Sequence, residues 1–74
     1  MSEDIHQLAA RANQAMQAQP GFISCKVHSA ADRVLAYSFA DHLLAHTFQQ
    51  QRALLNMPAI IQHSAQTVVL VTHR

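Results

Sequence analysis

A chain of 74 residues, half of them hydrophobic and only 12% charged, has room for one small domain spanning residues 1–74. Its net charge of +1, with five scattered Lys and Arg, argues against nucleic acid as a partner because no basic stripe can neutralise a run of phosphates. No apolar stretch reaches the ~18 residues of a membrane span, and the single cysteine can form no internal disulfide, so we expect a cytoplasmic protein.

The small size of the chain also predicts self-association. Folding a chain of this length buries only roughly 60% of its extended surface, which leaves a monomer marginally stable. Neither a disulfide nor a Cys-x-x-Cys zinc motif is available to reinforce the core. We therefore expect the protein to bury apolar surface against a second copy of itself, as a homodimer.

The first predicted element is an amphipathic helix over about residues 3–18. Ser2 can cap it, and Glu3 and Asp4 put negative charge at the positive end of the helix dipole. Pro20-Gly21 ends it. Its apolar stripe is mostly alanine, so another layer can approach closely, and consists of Ile5, Leu8, Ala9, Ala12, Ala15 and Met16.

Two short runs rich in β-branched and aromatic residues, Phe22–His28 and Val34–Phe39, predict a β-hairpin. If residues 29–32 form a four-residue loop, Val34 pairs with Val27. In this register the hairpin has a small aliphatic face, suited to a helix layer, and a larger aromatic face. A shift of the register by one residue would mix the two sets. The small face holds Ile23, Cys25, Val27, Val34, Ala36 and Ser38, and the aromatic face holds Phe22, Ser24, Lys26, Leu35, Tyr37 and Phe39.

A second helix is predicted over about residues 42–56, with Asp41 as its N-cap and Pro58 after its end. Residues 58–63 are predicted to add a short turn of helix, and Thr67–Thr72 is a buried final strand. The predicted apolar arc of this helix is Leu43, Leu44, Thr47, Phe48, Gln51, Leu54 and Leu55. The element order α-β-β-α-β predicts an α+β fold whose antiparallel sheet carries the helices on one face.

This order, with Pro20-Gly21-Phe22-Ile23-Ser24 between the first helix and the hairpin, resembles the dimeric α+β barrel superfamily of ferredoxin-like domains. Within that superfamily the chain resembles the antibiotic-biosynthesis monooxygenase-like proteins, because Val27-His28, Val34-Leu35-Ala36-Tyr37 and Ala45-His46 look similar to stretches of that family. The resemblance implies a homodimer and a cofactor-independent monooxygenase-like activity. In that case His28, Tyr37 and His46 are candidates to transfer protons or orient a substrate.

The family normally opens with a strand that is central in its sheet, yet only residues 1–4 precede the first predicted helix. Three arrangements remain open. The last strand can pair directly with the hairpin, a partner chain can fill the gap, or the chain can be a truncated or divergent member.

The aromatic face of the hairpin is the candidate ligand site. Aromatic walls with a few polar groups are typical of sites for flat organic molecules, and Phe22, Tyr37 and Phe39 would form the wall beside Lys26. The other interpretation is that the same side chains form the dimer interface. A non-catalytic module that docks another protein through an apolar sheet face is the alternative function.

Other chemistry finds less support in the sequence. His42 and His46 stand four residues apart, but without a third ligand at matching spacing we predict a solvated helix face and no metal centre. Cys25 is predicted to be a small buried residue, while His28 and His73, at strand ends, can border a pocket or lie at the surface. No phosphate loop or nucleophile elbow is present, and no cofactor is predicted.

Overall fold

The computed structural model describes residues 4–63 and 65–73. These residues form two helices and one four-stranded antiparallel sheet, so the predicted α+β class is confirmed. Neither helix has the length and apolar character to cross a bilayer within this part of the chain. The elements in chain order are α1 (Ile5–Met16), β1 (Phe22–Ser29), β2 (Val34–Phe39), α2 (His42–Leu54), β3 (Ala59–His63) and β4 (Thr67–Thr72).

Helix α1 is shorter than the sequence predicts. It begins at Ile5 because Asp4 is its N-cap, with Asp4 Oδ1 accepting the His6 N–H at 3.1 Å. The predicted cap Ser2 and its neighbour Glu3 lie outside the described residues. The helix ends at Met16, ahead of a turn in which Gly21 has φ +81°, a left-handed conformation that glycine adopts without strain.

The register of the hairpin differs from the predicted one. Phe22 pairs with Phe39 as expected, but irregularities on both sides of the run Ser24–Val27 shift its pairing by one residue, so that Cys25 lies opposite Tyr37 instead of Ala36. The shift mixes the two predicted faces. The side toward the helices now carries Cys25, Val27, Leu35, Tyr37 and Phe39, and these residues are buried or partly buried.

Helix α2 begins where predicted, with Asp41 Oδ1 accepting the Leu43 N–H at 2.8 Å, but it is rotated relative to the predicted arc. Ala45 and Phe48 are its buried residues, whereas Leu43 is 72% and Leu54 84% exposed. The small Ala45 lets the helix come close to the sheet, and Phe48 then fills the space between the layers.

The prediction of a helical turn at 58–63 is wrong, because Ala59–His63 forms β3 and pairs along its whole length with β4. The element order is therefore α-β-β-α-β-β, and the sheet order is β1-β2-β4-β3. Strand β4 pairs directly with β2 of the hairpin, which is the first of the three arrangements left open by the sequence. Periodicity alone does not distinguish a helix from a strand in so short an apolar run, and the pairing of Ala59–His63 with β4 makes it a strand.

The core lies between the sheet and the helices. Leu35, Phe39, Val69 and Val71 are fully buried at its centre. The Phe48 ring centroid lies 5.3 Å from that of Phe39 and 4.6 Å from that of Tyr37, so the aromatic residues of the hairpin pack beneath α2.

Neither of the two described helices packs on the other side of the sheet. A cross-strand row of Lys26, Ala36, Leu70 and Ile60 runs across it, and we call this side the open face. Ile60 is 61% exposed, and Ala36 and Leu70 are partly exposed. The middle of the open face is apolar, and its lysine stands on the edge strand β1.

Candidate functional site

A cleft of about 540 Å³ lies beside α1, at the end of the molecule where β4 leaves the sheet. Helix α1 packs mainly on β1, whereas α2 packs on β2, β3 and β4, so the surface between the two helices is less covered. We call this space the α1 cleft. Its lining consists of Leu8, Arg11, Ala12, Gln14, Ala15, Tyr37 and His73.

Two side chains from the sheet meet at the α1 cleft. The Tyr37 hydroxyl oxygen lies 3.0 Å from His73 Nε2, a distance at which the two groups share a hydrogen bond. His73 follows the last residue of β4 and is fixed by its backbone, because its N–H donates to Arg33 O at 2.8 Å and its carbonyl accepts from Arg33 Nε at 3.2 Å. The pair is therefore anchored by β2, β4 and the hairpin loop.

Burial controls the protonation of this pair. It raises the pKa of Tyr37, and the neighbouring Cys25 adds to the rise while Arg52 opposes it. Burial also lowers the pKa of His73, and the positive charges of Arg52 and Arg33 lower it further. Near pH 7 the cleft therefore presents a neutral phenol and a neutral imidazole, which can donate and accept hydrogen bonds without carrying charge.

Cys25 lies behind Tyr37 and is 4% exposed, which confirms the prediction that it is a small buried residue. Burial raises the pKa of its thiol to about 11, although the hydrogen bond with Tyr37 opposes the rise. Since the thiolate is the reactive form, Cys25 is not suited to act as a nucleophile near pH 7.

Asn13 fixes α1 to the sheet at Cys25. Its Oδ1 accepts the Cys25 N–H at 2.8 Å, and its Nδ2 donates to the Cys25 carbonyl at 2.7 Å and to the Ala9 carbonyl at 3.0 Å. The side chain thus satisfies the outward backbone groups of the edge strand β1 at this residue, where another strand would otherwise pair. It also sets the position of the helix that walls the α1 cleft.

Arg52 approaches the same pair from α2. Its guanidinium carbon stands 4.7 Å from the centroid of the Phe48 ring, a cation–π arrangement, and its charge acts on both Tyr37 and His73. Its Nε is buried and has no hydrogen-bond partner among residues 4–63 and 65–73.

The candidate residues from the sequence do not form one site. Tyr37 lines the α1 cleft, but Phe39 is fully buried and Phe22 packs edge-on against it with centroids 5.9 Å apart. Lys26 lies on the open face, on the other side of the sheet from Tyr37, because it alternates with the buried Cys25. His28 is exposed on β1.

His46 is exposed on α2, where its Nε2 lies 3.2 Å from Gln50 Nε2. Its ring centroid is 6.4 Å from that of His42, which in turn lies 4.5 Å from that of His63 on β3. Across residues 4–63 and 65–73, no three or more His, Cys, Asp or Glu side chains are arranged to hold a metal ion.

Several cleft residues were not identified as site residues from the sequence. Leu8, Ala12 and Ala15 belong to the predicted apolar stripe of α1, but they border the cleft because α1 packs mainly on β1. No sequence feature marked Arg11 and Gln14 as lining residues, because the polar face of a helix has the same pattern whether it borders a cleft or bulk solvent. His73 was predicted to border a pocket or lie at the surface, and it borders the cleft.

Comparisons with known proteins give no relative of this chain: no family model, curated protein or solved structure matches it.

Proposed function

We propose that this chain binds a small, largely apolar or aromatic molecule in the α1 cleft. The observation that carries the proposal is the composition of the lining, where Leu8, Ala12 and Ala15 supply an apolar wall and the Tyr37–His73 pair supplies convergent polar groups. Clefts of roughly 300–1,000 Å³ with a few fixed polar groups are typical of small-molecule sites. The 540 Å³ of this cleft is within that range.

We further propose that the protein works as a homodimer of dimeric α+β barrel type, paired through the open face. Both described helices pack on the same side of the sheet, and the apolar centre of the open face, with Leu70 beside Ile60, favours contact with another apolar surface. Lys26 stands on the edge strand, so two copies can meet without placing like charges at the centre of the contact. Strand β4 is an inner strand of the sheet, beside β2, and the opening strand of the ferredoxin-like family is also a central one; this likeness supports the proposal.

A cofactor-independent monooxygenase-like activity is the catalytic form of the same proposal. It is favoured by the Tyr37–His73 hydrogen bond, which holds an imidazole against a phenol hydroxyl, two groups between which a proton can be relayed. In this form Tyr37 and His73 would carry the proton transfer. His28 and His46, the other candidates from the resemblance, are exposed on β1 and α2.

The binding proposal can be tested with a neutral aromatic probe, 2-naphthalenemethanol, titrated into ¹⁵N-labelled protein. We expect amide shifts to concentrate on α1 around Ala12 and at Tyr37 and His73. Ala15→Trp would fill the cleft from its exposed wall and should abolish these shifts. Ala10→Trp is the matched control, because Ala10 is exposed on the same helix but does not line the cleft. Equal binding by the two variants would refute the proposal.

The alternative is a non-catalytic interaction module that uses the open face for a different protein. Its support is the same apolar surface, with Ile60 61% exposed. Sedimentation of the purified chain separates the two: a stable homodimer favours self-pairing, whereas a monomer that aggregates as its concentration rises favours a missing hetero-partner.

A further inference from the structure

The two edge strands of the sheet, β1 and β3, differ in how their outward backbone groups are used. On β1, Asn13 accepts the Cys25 N–H at 2.8 Å and donates to the Cys25 carbonyl at 2.7 Å, as a neighbouring strand would. The pairing of β1 is also irregular on both sides of Ser24–Val27, and this strand carries Lys26. Irregular pairing and a lysine hinder the addition of a further strand, so the edge at β1 is protected.

The pairing of β3 with β4 fixes the direction of each backbone group of β3. The Thr72 N–H donates to the Pro58 carbonyl at 2.9 Å, which makes these two residues a hydrogen-bonded pair. Such pairs alternate along an antiparallel ladder, so Ile60 and Gln62 bond to β4 and the residues on either side of them face away from it.

The outward N–H and carbonyl groups of Ala59, Ile61 and His63 form what we call the β3 edge. The Ala59 carbonyl accepts from Gln49 Nε2 at 3.0 Å, in agreement with its outward direction. Within residues 4–63 and 65–73, the Ile61 N–H and carbonyl have no hydrogen-bond partner. Strand β3 pairs regularly along its whole length and contains no Lys, Arg, Asp or Glu. A regular, uncharged strand with unpaired outward groups is a template for another strand.

We propose that the β3 edge pairs antiparallel with the β3 edge of a second copy. Strand β3 has five residues and Ile61 is its middle one, so a two-fold axis beside Ile61 places this residue opposite the partner subunit's Ile61. Ala59 then lies opposite the partner subunit's His63, and the outward groups of both strands meet in about six hydrogen bonds. The edge is therefore complementary to itself, and this self-complementarity identifies a second copy as the partner.

Pairing at the β3 edge joins two four-stranded sheets into one sheet of eight strands. Each copy has a single β3 edge, so this contact closes after two copies. Its two-fold axis is perpendicular to the sheet, which leaves both open faces on the same side and accessible for the pairing proposed above. A strand of five residues buries little surface, so the edge contact is the weaker of the two and forms as the protein concentration rises.

Amide hydrogen exchange of the unaltered chain tests this register. We expect exchange of the Ile61 N–H to slow by at least about tenfold between low micromolar and millimolar protein, because pairing gives this amide its first acceptor. The amide of Val27, which faces outward from β1 by the same alternation, is the internal reference and should keep its exchange rate. A rate at Ile61 that is independent of concentration, as expected if β3 receives a strand of another protein, would overturn the inference. Equal slowing at Val27 would overturn it too.

A proline on each edge strand separates this contact from other association. Ile61→Pro removes the outward N–H and leaves the hydrogen bonds of β3 to β4, because an edge strand tolerates proline where its N–H faces away from the sheet. At millimolar concentration the unaltered protein should double its mass, from dimer to tetramer, and Ile61→Pro should not. Val27→Pro makes the same change on β1 and should still double. Doubling in both variants, or in neither, would contradict the assignment, and the exchange measurement does not depend on the folding of either variant.

Discussion

Asn13 is the residue whose side chain joins α1 to the sheet. Asn13→Ala removes the partners of the Cys25 N–H and carbonyl, which are partly buried. We expect the free energy of unfolding to fall by about 1–3 kcal/mol, the usual cost of leaving buried polar groups without partners. Urea denaturation at pH 7 measures it. Gln7→Ala is the control, because Gln7 is exposed on the same helix, and an equal loss in both variants would contradict the role of Asn13.

His73 makes stability depend on pH. Burial and the charges of Arg52 and Arg33 lower its pKa in the folded protein below the ordinary value of 6.5, so the unfolded chain binds a proton at a higher pH than the folded one. The contribution of His73 is therefore complete above pH 6.5 and is lost as the pH falls from 6.5 toward the lowered pKa. Thermal denaturation between pH 7.5 and pH 5 should show this loss.

The comparison that isolates His73 is with His73→Gln, which should show a flatter dependence of the melting temperature on pH over that interval. His28→Gln removes an imidazole from an exposed position and serves as the control. A profile for His73→Gln as steep as that of the unaltered protein would contradict the assignment.

At the scale of the elements, Gly21 sets the contact between the α1–β1 turn and α2. Its φ of +81° is strained for other residues, and a Cβ built there would overlap Leu44 Cδ1. Gly21→Ala should therefore lower the free energy of unfolding by about 1–3 kcal/mol. In Gly21→Ala/Leu44→Ala the steric part disappears, so the double variant should lose less than the sum of the single changes. Strict additivity would show that backbone strain alone is responsible.

The elements themselves were largely predictable, and their pairing was not. Asp41 is a typical N-cap residue and Thr67–Thr72 is a run of β-branched residues, so the predicted bounds of α2 and β4 lie within a few residues of the observed ones. The irregularity between Phe22 and Ser24 depends on strand pairing that local patterns do not report, and it shifted the hairpin register by one residue. That shift put Lys26 on the other side of the sheet from Tyr37 and so separated it from the predicted aromatic wall.

The α1 cleft could not be predicted from the sequence either, because it depends on how the elements pack together. It exists because α1 leans on β1 and leaves the Tyr37–His73 end uncovered, which depends on long-range packing. Tyr37 was a candidate because aromatic residues are common in binding sites, whereas His73 was predicted only to border a pocket or lie at the surface. Arg52 was not, because its place near Tyr37 depends on Phe48, its neighbour four residues earlier on α2, packing against the Tyr37 ring.

At the scale of the whole molecule, the open face should determine the oligomeric state. We expect the protein to sediment as a dimer with twice the chain mass of 8.2 kDa. Leu70→Lys places a charge in the middle of the open face and should shift the protein to a monomer. Leu54→Lys is the matched control, because Leu54 lies on α2 and is 84% exposed. A monomeric unaltered protein, or dissociation by both variants, would contradict pairing through this face.

The place of β4 between β2 and β3 has a consequence for the nascent chain on the ribosome. The hairpin and α2 are synthesised first, and until Thr67–Thr72 has left the exit tunnel one margin of β2 has no hydrogen-bonding neighbour. The fully buried Val69 and Val71 arrive only at that moment, so closure of the sheet and burial of its centre coincide in one late event. A pause in translation just before this segment would leave the chain with an incomplete sheet. Its unpaired strand edge and exposed apolar side chains are features that chaperones can recognise.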